Sequence, residues 1–441
     1  MNKIVGKATF FFALLLCSAI VLGQSKPNII FILADDLGYG ELQAYGSKET
    51  QTPNIDKLAE SGILFTNAYA NSNVCSPSRA SILTGNHPDH VGVPGVIRDN
   101  PDNTWGKLKE DAVTLPQVLQ QNDYKTALIG KWHLGYSSPN LPNDRGFDFF
   151  KGFLGDMMDD YYTHQRNGIN WMRHNKDEIF TEGVHATELF TNWAIDYVEE
   201  NATANDPFYL FLSYNAPHDP IQPPKEFVNK VKSRAPHLTD KRQDMVAFVE
   251  HLDENVGKLL QKLDYLGVLD NTLVVFTSDN GGALQYGASN YPLSGGKGDM
   301  YEGGIRIPCI VKLPFQKKYQ ENDEVIQLMD FYPTFISIAG GEWDDSLPSR
   351  PISTIISSEK YTTRELIWVR REGFKFGGQA FYAIFDGRYK LAQQNPFSAY
   401  QLFDLLKDPN ENTPLEFPEK YEELKKKLTK HIQQSGQIPW Q

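Results

Sequence analysis

Apolar segments of strand length alternate with helix-like patterns over most of this chain. An amphipathic stripe between two of these segments has helical spacing and predicts a core-facing helix. Alternation of this kind is typical of a large, mostly parallel β-sheet sandwiched by helices, so we expect an α/β fold. The strand-length segments are residues 28–33, 125–129, 208–213, 273–277 and 305–311, and the stripe is Met245, Phe248, Leu252, Val256, Leu259 and Leu263.

The pattern changes near residue 330 to shorter apolar runs, at 366–369, 381–385 and 389–392. An amphipathic segment from about residue 418 to 433 follows them and predicts a terminal helix. We therefore expect a main α/β domain over residues 24–330. A smaller C-terminal α+β domain, with a small antiparallel sheet and the terminal helix, is expected over residues 331–441.

The first 23 residues have the pattern of a secretory signal peptide. Lys3 and Lys7 precede an apolar run over residues 10–22, and Gly23 marks the expected cleavage region. A membrane anchor is the alternative, but the run is too short to span a bilayer comfortably. We expect export, to the periplasm or the exterior, and no stable membrane span. Cleavage would remove Cys17 and leave Cys75 and Cys309, so no disulfide framework is expected.

The formal net charge of −12 argues against polyanionic partners. Loss of the two signal-peptide lysines would make the mature chain more acidic still. A general affinity for nucleic acid or for anionic membranes is therefore not expected. An anionic substrate would need a local cationic pocket.

Polar clusters follow several of the predicted strands directly. In an open α/β sheet, ligands bind at the carboxyl ends of the strands, so these clusters are candidates for one site. Paired acids at a loop also suit a hard cation such as calcium or magnesium, although a two-acid turn alone is often only a solvated loop. The clusters are Asp35 with Asp36, Lys131 with His133, Asn215 with His218, and Asp279 with Asn280.

Cys75 lies at or just before a predicted helix that begins at Ser76 and Pro77 and ends at Gly85. A helix N-terminus favours negative charge, which suits the binding of an anionic ester. Arg79, four residues on, lies on the same helix face and could return towards Cys75. The plain alternative for the isolated pattern is a buried free cysteine and a surface arginine.

Residues 75–85, Cys-Ser-Pro-Ser-Arg-Ala-Ser-Ile-Leu-Thr-Gly, resemble the signature of the type I sulfatases, a family with an alkaline-phosphatase-like fold. Residues 130–135, Gly-Lys-Trp-His-Leu-Gly, resemble a second sulfatase signature. Residues 216–219 and Lys297 resemble the loops that carry a histidine and a lysine in that family, and residues 383–391 with 402–409 resemble its closing hairpin region. The resemblance covers nearly the whole chain after the signal peptide.

The resemblance implies a sulfatase that hydrolyses sulfate esters, with a sulfated carbohydrate as the leading substrate class. It implies that Cys75 is oxidised to formylglycine by a formylglycine-generating or sulfatase-maturating enzyme, and that the hydrated aldehyde is the nucleophile. Lys131 would hold the formylglycine and a sulfate oxygen, and Lys297 would neutralise charge on the sulfate, with Arg79 adding to the local positive field. His133 would take a proton from the second hydroxyl, and His218 would protonate the leaving alcohol. The implied calcium ligands are Asp35, Asp36, Asp279, Asn280 and the modified Cys75.

Two other functions stay open at this point. A phosphodiesterase or phosphonate hydrolase of the same superfamily would bind a transition metal with additional histidine ligands. A non-catalytic sulfated-glycan-binding protein would keep the fold and lose a catalytic residue. Histidines outside the signatures have either structural roles or places near the substrate: His87 and His90 after the signature helix, and His164, His174 and His185 in the middle of the chain.

Overall fold

The structure is a computed structural model that describes residues 26–98, 107–203, 206–352, 364–373, 379–395 and 397–436. The predicted signal peptide lies outside the described residues. The strands, in chain order, are β1 Asn28–Ala34, β2 Ile63–Tyr69, β3 Lys125–Lys131, β4 Phe149–Phe153, β5 Gln165–Arg166, β6 Ile169–Asn170, β7 Met172–His174, β8 Asp177–Glu178, β9 Phe208–Ser213, β10 Thr272–Ser278, β11 Arg306–Lys312, β12 Gln320–Asn322, β13 Ile326–Gln327, β14 Leu366–Arg371, β15 Ala380–Phe385, β16 Tyr389–Gln393 and β17 Gln401–Asp404.

The helices alternate with these strands through the first three quarters of the chain. In chain order they are α1 Pro53–Glu60, α2 Cys75–Thr84, α3 Leu115–Gln120, α4 Ala186–Asn201, α5 Lys225–Arg234, α6 Asp240–Tyr265, α7 Glu302–Ile305, α8 Phe331–Ile338 and α9 Pro418–Ser435. Within the described ranges, no helix combines the length and apolar character needed to cross a membrane.

The large sheet has 11 strands in the order β12-β2-β11-β10-β1-β9-β3-β4-β7-β8, with β13 also pairing with β2. Its centre is parallel: β1 pairs with β10 and β9, and β3 pairs with β9 and β4. The antiparallel pairs lie away from this centre, at β10–β11, β11–β2, β4–β7 and β7–β8. The prediction of a large, mostly parallel sheet is confirmed.

Both faces of the sheet are buried under helices, as the apolar strand sequences require. Along β1, Ile29, Phe31 and Leu33 face a core that includes residues of α2, α3 and α8. The alternate residues Ile30 and Ile32 face a second core with residues of α1, α4 and α6. The predicted amphipathic stripe from Met245 to Leu263 lies in this second core, so it packs and binds no ligand.

The C-terminal part forms a four-stranded antiparallel sheet, β14-β15-β16-β17, and the small α+β unit expected from the sequence is present. Helix α9 covers one face of this sheet, where Leu424 and Leu428 pack on Ile384 and Leu391. The other face packs on the main body, and the indole nitrogen of Trp368 donates to the Ala70 carbonyl oxygen at 2.7 Å.

The division expected between residues 330 and 331 stays a prediction. Helix α8, which begins at Phe331, packs against the large sheet through contacts of Phe331 and Phe335 with Phe31. The small sheet begins 35 residues later, at Leu366.

Candidate active site

Four parallel strands place their carboxyl ends at one edge of the large sheet. Strand β1 runs into Asp35 and Asp36, and β10 runs into Asp279 and Asn280. Strand β3 ends at Lys131, and β9 is followed by the loop that carries His218. Because β10, β1, β9 and β3 are consecutive neighbours, these side chains meet at one site.

Cys75 is the first residue of α2, one position earlier than the helix start expected from Ser76 and Pro77. The thiol is buried and free, and its Sγ lies 3.4 Å from Oδ1 of Asp35. Burial, followed by the negative charge of Asp35, raises the pKa of the Cys75 thiol well above its ordinary value. An unmodified thiol at this position would stay protonated near neutral pH and would be a weak nucleophile.

Arg79 returns along α2 towards the strand ends and is 1% exposed. Its Nε and Nη2 donate to Oδ2 of Asp279 at 2.9 and 2.7 Å. Its Nη1 donates to the hydroxyl of Ser213 at 2.6 Å and to the Lys131 carbonyl at 3.2 Å. The arginine is therefore held rigidly by three strand ends, and the surface-arginine alternative does not apply.

Lys131 and Asp35 form a fully buried ion pair, with Nζ 2.5 Å from Oδ2. Burial alone would raise the pKa of Asp35, but positive charge, led by Lys131, holds that pKa well below its ordinary value. The lysine thus stands beside the same carboxylate that Cys75 contacts. An anion bound between Cys75 and Lys131 would share the positive charge of Lys131 with Asp35.

Lys297 and His218 lie on the other side of the site. Nζ of Lys297 donates to Oδ2 of Asp36 at 2.7 Å and lies 2.8 Å from Nε2 of His218. Burial would lower the pKa of Lys297, but Asp36 raises it well above the ordinary value, so the amine is charged. Nδ1 of His218 is 2.8 Å from the carbonyl oxygen of Asp219, which leaves Nε2 as the nitrogen that faces the site.

His133 follows β3 in a left-handed backbone conformation, with φ 60°. Its Nε2 lies 2.7 Å from the carbonyl oxygen of Ile97, an acceptor, so Nε2 carries the hydrogen. Nδ1 is buried and has no hydrogen-bond partner among the described residues. Burial, followed by the positive charge of Lys131, lowers the pKa of His133 well below its ordinary value. The imidazole is therefore neutral, with one lone pair free to accept a proton.

Four side chains of the site lie close enough together to hold one cation. One ligand atom from each of Asp35, Asp36, Cys75 and His218 lies within 4.8 Å of the other three. Asn280 Nδ2 donates to Oδ1 of Asp36 at 2.8 Å, and its Oδ1 is buried with no partner in the part of the chain described. Burial, followed by the charge of Asp35, raises the pKa of Asp279 to about 6. A cation would engage the free amide oxygen and relieve the repulsion between the carboxylates.

Three cations lie at the site, namely Arg79, Lys131 and Lys297. Their positive charge is compensated by neighbouring carboxylates, so they do not by themselves produce the positive field expected from the sequence. Each donates to a carboxylate of the site, namely Asp279, Asp35 and Asp36 respectively. A bound divalent cation would make the cluster net positive. A cationic pocket for an anionic substrate would therefore depend on a bound metal as well as on side chains.

Sequence patterns missed several groups that position the site. The Tyr161 hydroxyl donates to the carbonyl oxygens of Asn215 and His218, at 2.8 and 2.9 Å, and so fixes the histidine loop. Ser213 and Ile97 orient Arg79 and His133. Ile97 acts through a backbone carbonyl, which any residue carries, so it has no sequence signature. The polar Ser213 at the end of an apolar strand was a usable signal.

The remaining histidines lie elsewhere or have structural partners. His90 stacks on His431 of α9, and His87 lies edge-on to the same ring. His185 accepts from the Thr187 amide at the start of α4, and both ring nitrogens of His164 face backbone carbonyls. His174 is exposed at the end of β7. Cys309 is buried in β11, as a plain strand residue would be.

The sequence matches the sulfatase family over residues 27–341 and the C-terminal region of N-sulphoglucosamine sulphohydrolase over residues 296–437. It is 35% identical to arylsulfatase J of Mus musculus over 74% of this chain, but spans only about half (54%) of that protein. It is 32% identical to N-acetylgalactosamine-6-sulfatase of Canis lupus familiaris, over 76% of this chain and 67% of that one.

A solved structure similar to this one is that of Ps i-CgsB in complex with k-i-k-neocarrahexaose. The two chains are 32% identical, 92% of each is covered, and the TM-score is 0.84. The family match covers well over half of the residues and includes the strand ends that carry the site. The chain therefore belongs to the sulfatase family.

Proposed function

We propose that this protein is a sulfuric ester hydrolase that removes sulfate from a sulfated carbohydrate. The observation that carries the proposal is that Cys75 lies together with three cations and two histidines. The cations, each paired with a carboxylate, are Arg79, Lys131 and Lys297. His133 presents a free lone pair at Nδ1, and His218 presents Nε2 beside a lysine. A site that moves two protons around a bound anion needs such a pair.

Cys75 is proposed to be oxidised to formylglycine, with a maturation enzyme as the partner that carries out the oxidation. The hydrated aldehyde would supply two hydroxyls on one carbon, one to attack sulfur and one to expel the sulfate. Two observations support this: the signature around Cys75, and the burial that makes an unmodified thiol a weak nucleophile. At the start of α2, the nucleophile also gains the helix dipole.

Calcium is proposed as the resident metal, held by Asp35, Asp36, Asp279, Asn280 and the modified Cys75. All of these are oxygen donors after the modification, which favours calcium or magnesium over a transition metal. Bound there, the ion would supply positive charge to a sulfate oxygen. The unpartnered Oδ1 of Asn280 supports this assignment.

The side chains divide the remaining work by position. Lys131 and Lys297 would each turn from a carboxylate to a sulfate oxygen and hold the group in place, while Arg79 fixes Asp279 and the strand ends. In its protonated form, with a hydrogen on both ring nitrogens, His218 would deliver the Nε2 proton to the alcohol oxygen as the S–O bond breaks. Nδ1 of His133 would accept the proton that is released when the sulfate departs, and water restores the starting state.

A carbohydrate substrate is supported by what this chain resembles. Ps i-CgsB, with which it shares 92% coverage, was solved in complex with k-i-k-neocarrahexaose, and the dog relative is an N-acetylgalactosamine-6-sulfatase. We extend to this chain only the class, a sulfated sugar. Export by a signal peptide over residues 1–23, with a main domain at 24–330 and a C-terminal domain at 331–441, is part of the same proposal.

Sulfate release from a panel of sulfated oligosaccharides tests the function directly. The protein, produced in a host with maturation activity, should release inorganic sulfate from at least one member, and Cys75→Ala should abolish release. Cys309→Ala is the matched control, because that cysteine is the other buried free thiol among the described residues and packs in the core as part of β11, so release should be unchanged. Equal release by the wild type and Cys75→Ala would refute the proposal.

A further inference from the structure

A second cluster of metal-ligand side chains lies where the C-terminal helix meets the main body. Asp89 and His90 belong to the segment that follows α2, and His431 belongs to α9. One ligand atom from each of the three lies within 4.8 Å of the other two. Asp89 and His431 are buried, and His90 is half-buried. None of the three belongs to the site around Cys75.

The contacts within the cluster leave one buried imidazole nitrogen without a hydrogen-bond partner among the described residues. Nε2 of His431 lies 3.0 and 3.3 Å from the two carboxylate oxygens of Asp89. The rings of His90 and His431 stack with centroids 4.6 Å apart and an interplanar angle of 13°. Nε2 of His90 is buried and has no hydrogen-bond partner within the described segments. A buried polar atom of this kind destabilises the fold unless something satisfies it.

A third imidazole borders the same space. The ring of His87 lies edge-on to His431, with centroids 4.7 Å apart, and 5.4 Å from His90. Three imidazoles packed around one carboxylate could not all be protonated together without strong repulsion. Neutral imidazoles with an adjacent carboxylate are instead the nitrogen and oxygen ligands that zinc takes.

The observed spacing is compatible with a small metal ion. Ligand atoms around a tetrahedral Zn²⁺ lie about 2.0–2.2 Å from the ion. Atoms no more than 4.8 Å apart would reach those positions once the His90 ring turns out of its stack with His431, with the metal replacing the proton between His431 and Asp89. The plain alternative is a packed cluster held only by the Asp89–His431 hydrogen bond.

We propose that Asp89, His90 and His431 form a structural zinc site, which the ring of His87 borders. The ion would tie α9 to the segment that follows the Cys75 helix. A metal that joins two parts of a fold adds its binding energy to folding. This inference is independent of the proposed hydrolysis, because its test reads metal content and stability rather than activity.

The test uses the full chain with His90→Gln as the diagnostic variant. This substitution removes the free nitrogen and leaves the Asp89–His431 hydrogen bond in place. His237→Gln is the matched control, because His237 is exposed. Each protein is stripped with a chelator, incubated with one equivalent of Zn²⁺ in calcium buffer, dialysed and analysed for metal. All three are made in a Cys75→Ala background, so that no zinc is held by that thiol.

We expect the parent and His237→Gln to retain one zinc per chain and to unfold at a higher temperature with zinc than without it. His90→Gln should bind zinc at least about tenfold more weakly and show no such rise. Cobalt in place of zinc should give the visible absorption of a tetrahedral site in the first two proteins only. Equal zinc retention in His90→Gln and His237→Gln, or no zinc in the parent, would overturn the proposal.

Discussion

Arg79 binds Oδ2 of Asp279 through both Nε and Nη2, at 2.9 and 2.7 Å, and so joins the helix that begins with Cys75 to the end of the central strand β10. Both side chains are almost fully buried. This contact fixes the nucleophile position relative to the carboxylates, because α2 cannot shift without breaking it. The same guanidinium also holds Ser213 at the end of β9.

Arg79→Ala should therefore lower stability as well as activity. Removing one partner of a buried ion pair leaves the other charge uncompensated, at a cost of about 3–5 kcal/mol. Denaturant unfolding without calcium measures the loss. Arg388→Ala removes a pair with Asp404 in which the arginine side chain is 42% exposed, and should cost much less, because solvent screens that pair. Equal costs for the two variants would contradict the structural role assigned to Arg79.

His218→Ala should slow hydrolysis in a way that depends on the leaving group. Loss of a general acid costs about 10²–10⁴ in rate when the departing oxygen needs a proton. An aryl sulfate with an acidic phenol needs little protonation, so its rate should fall much less than that of a sulfated sugar. Steady-state rates for both substrates make the comparison, with His237→Ala as the exposed control. A uniform loss on both substrates would argue against proton donation by His218.

Calcium removal should abolish activity reversibly, and Asn280 should control the affinity. Chelation followed by calcium titration gives the midpoint for reactivation. Asn280→Ala removes a buried oxygen donor, so its midpoint should rise at least about tenfold, whereas Asn280→Asp keeps an oxygen there and should retain calcium dependence. Calcium should also raise the unfolding temperature of the wild type. Activity that survives chelation intact would contradict the metal assignment.

Asp253 should make stability depend on pH away from the active site. This carboxylate on α6 accepts hydrogen bonds from the backbone amides of Asn54 and Ile55 at the start of α1. Burial nevertheless raises the pKa of Asp253 from 3.8 to about 6 in the folded state. Folding therefore favours the protonated acid. Its contribution to the free energy of unfolding is complete below pH 3.8 and is lost as pH rises through about 6.

The loss attributable to Asp253 between those pH values is about 3 kcal/mol, at about 1.4 kcal/mol per pH unit. This loss is measured by comparing the unfolding free energies of the wild type and Asp253→Asn from pH 4 to pH 7. The variant cannot ionise, so the difference between the two proteins should change with pH. A constant difference across this range would mean that Asp253 is ionised in the folded state throughout.

The fold and much of the site could be predicted because both depend on local patterns. The alternation of apolar runs anticipated the parallel centre of the sheet, and residues directly after strands were natural candidates for one shared edge. The contacts that orient the site were not predictable, because they join residues far apart in sequence. Tyr161 reaches the His218 loop across 57 positions, and Ile97 meets His133 through a backbone carbonyl that any residue carries.

The pairing of cations with acids was also invisible in the sequence. Arg79, Lys131 and Lys297 could be identified as cations, but their carboxylate partners depend on the three-dimensional arrangement. The His431 contact with Asp89 spans 342 positions and links two parts of the chain whose relative placement no local pattern encodes. Local periodicity predicts elements, and tertiary packing decides which side chains meet.

Peptide mass spectrometry across Cys75, on protein produced in a host with maturation activity, tests the central claim most directly. The account predicts that the peptide containing residue 75 has the mass of the aldehyde, and that the modified fraction in each preparation is proportional to its rate of sulfate release. An unmodified thiol in protein that hydrolyses its ester at full rate would contradict the proposed nucleophile.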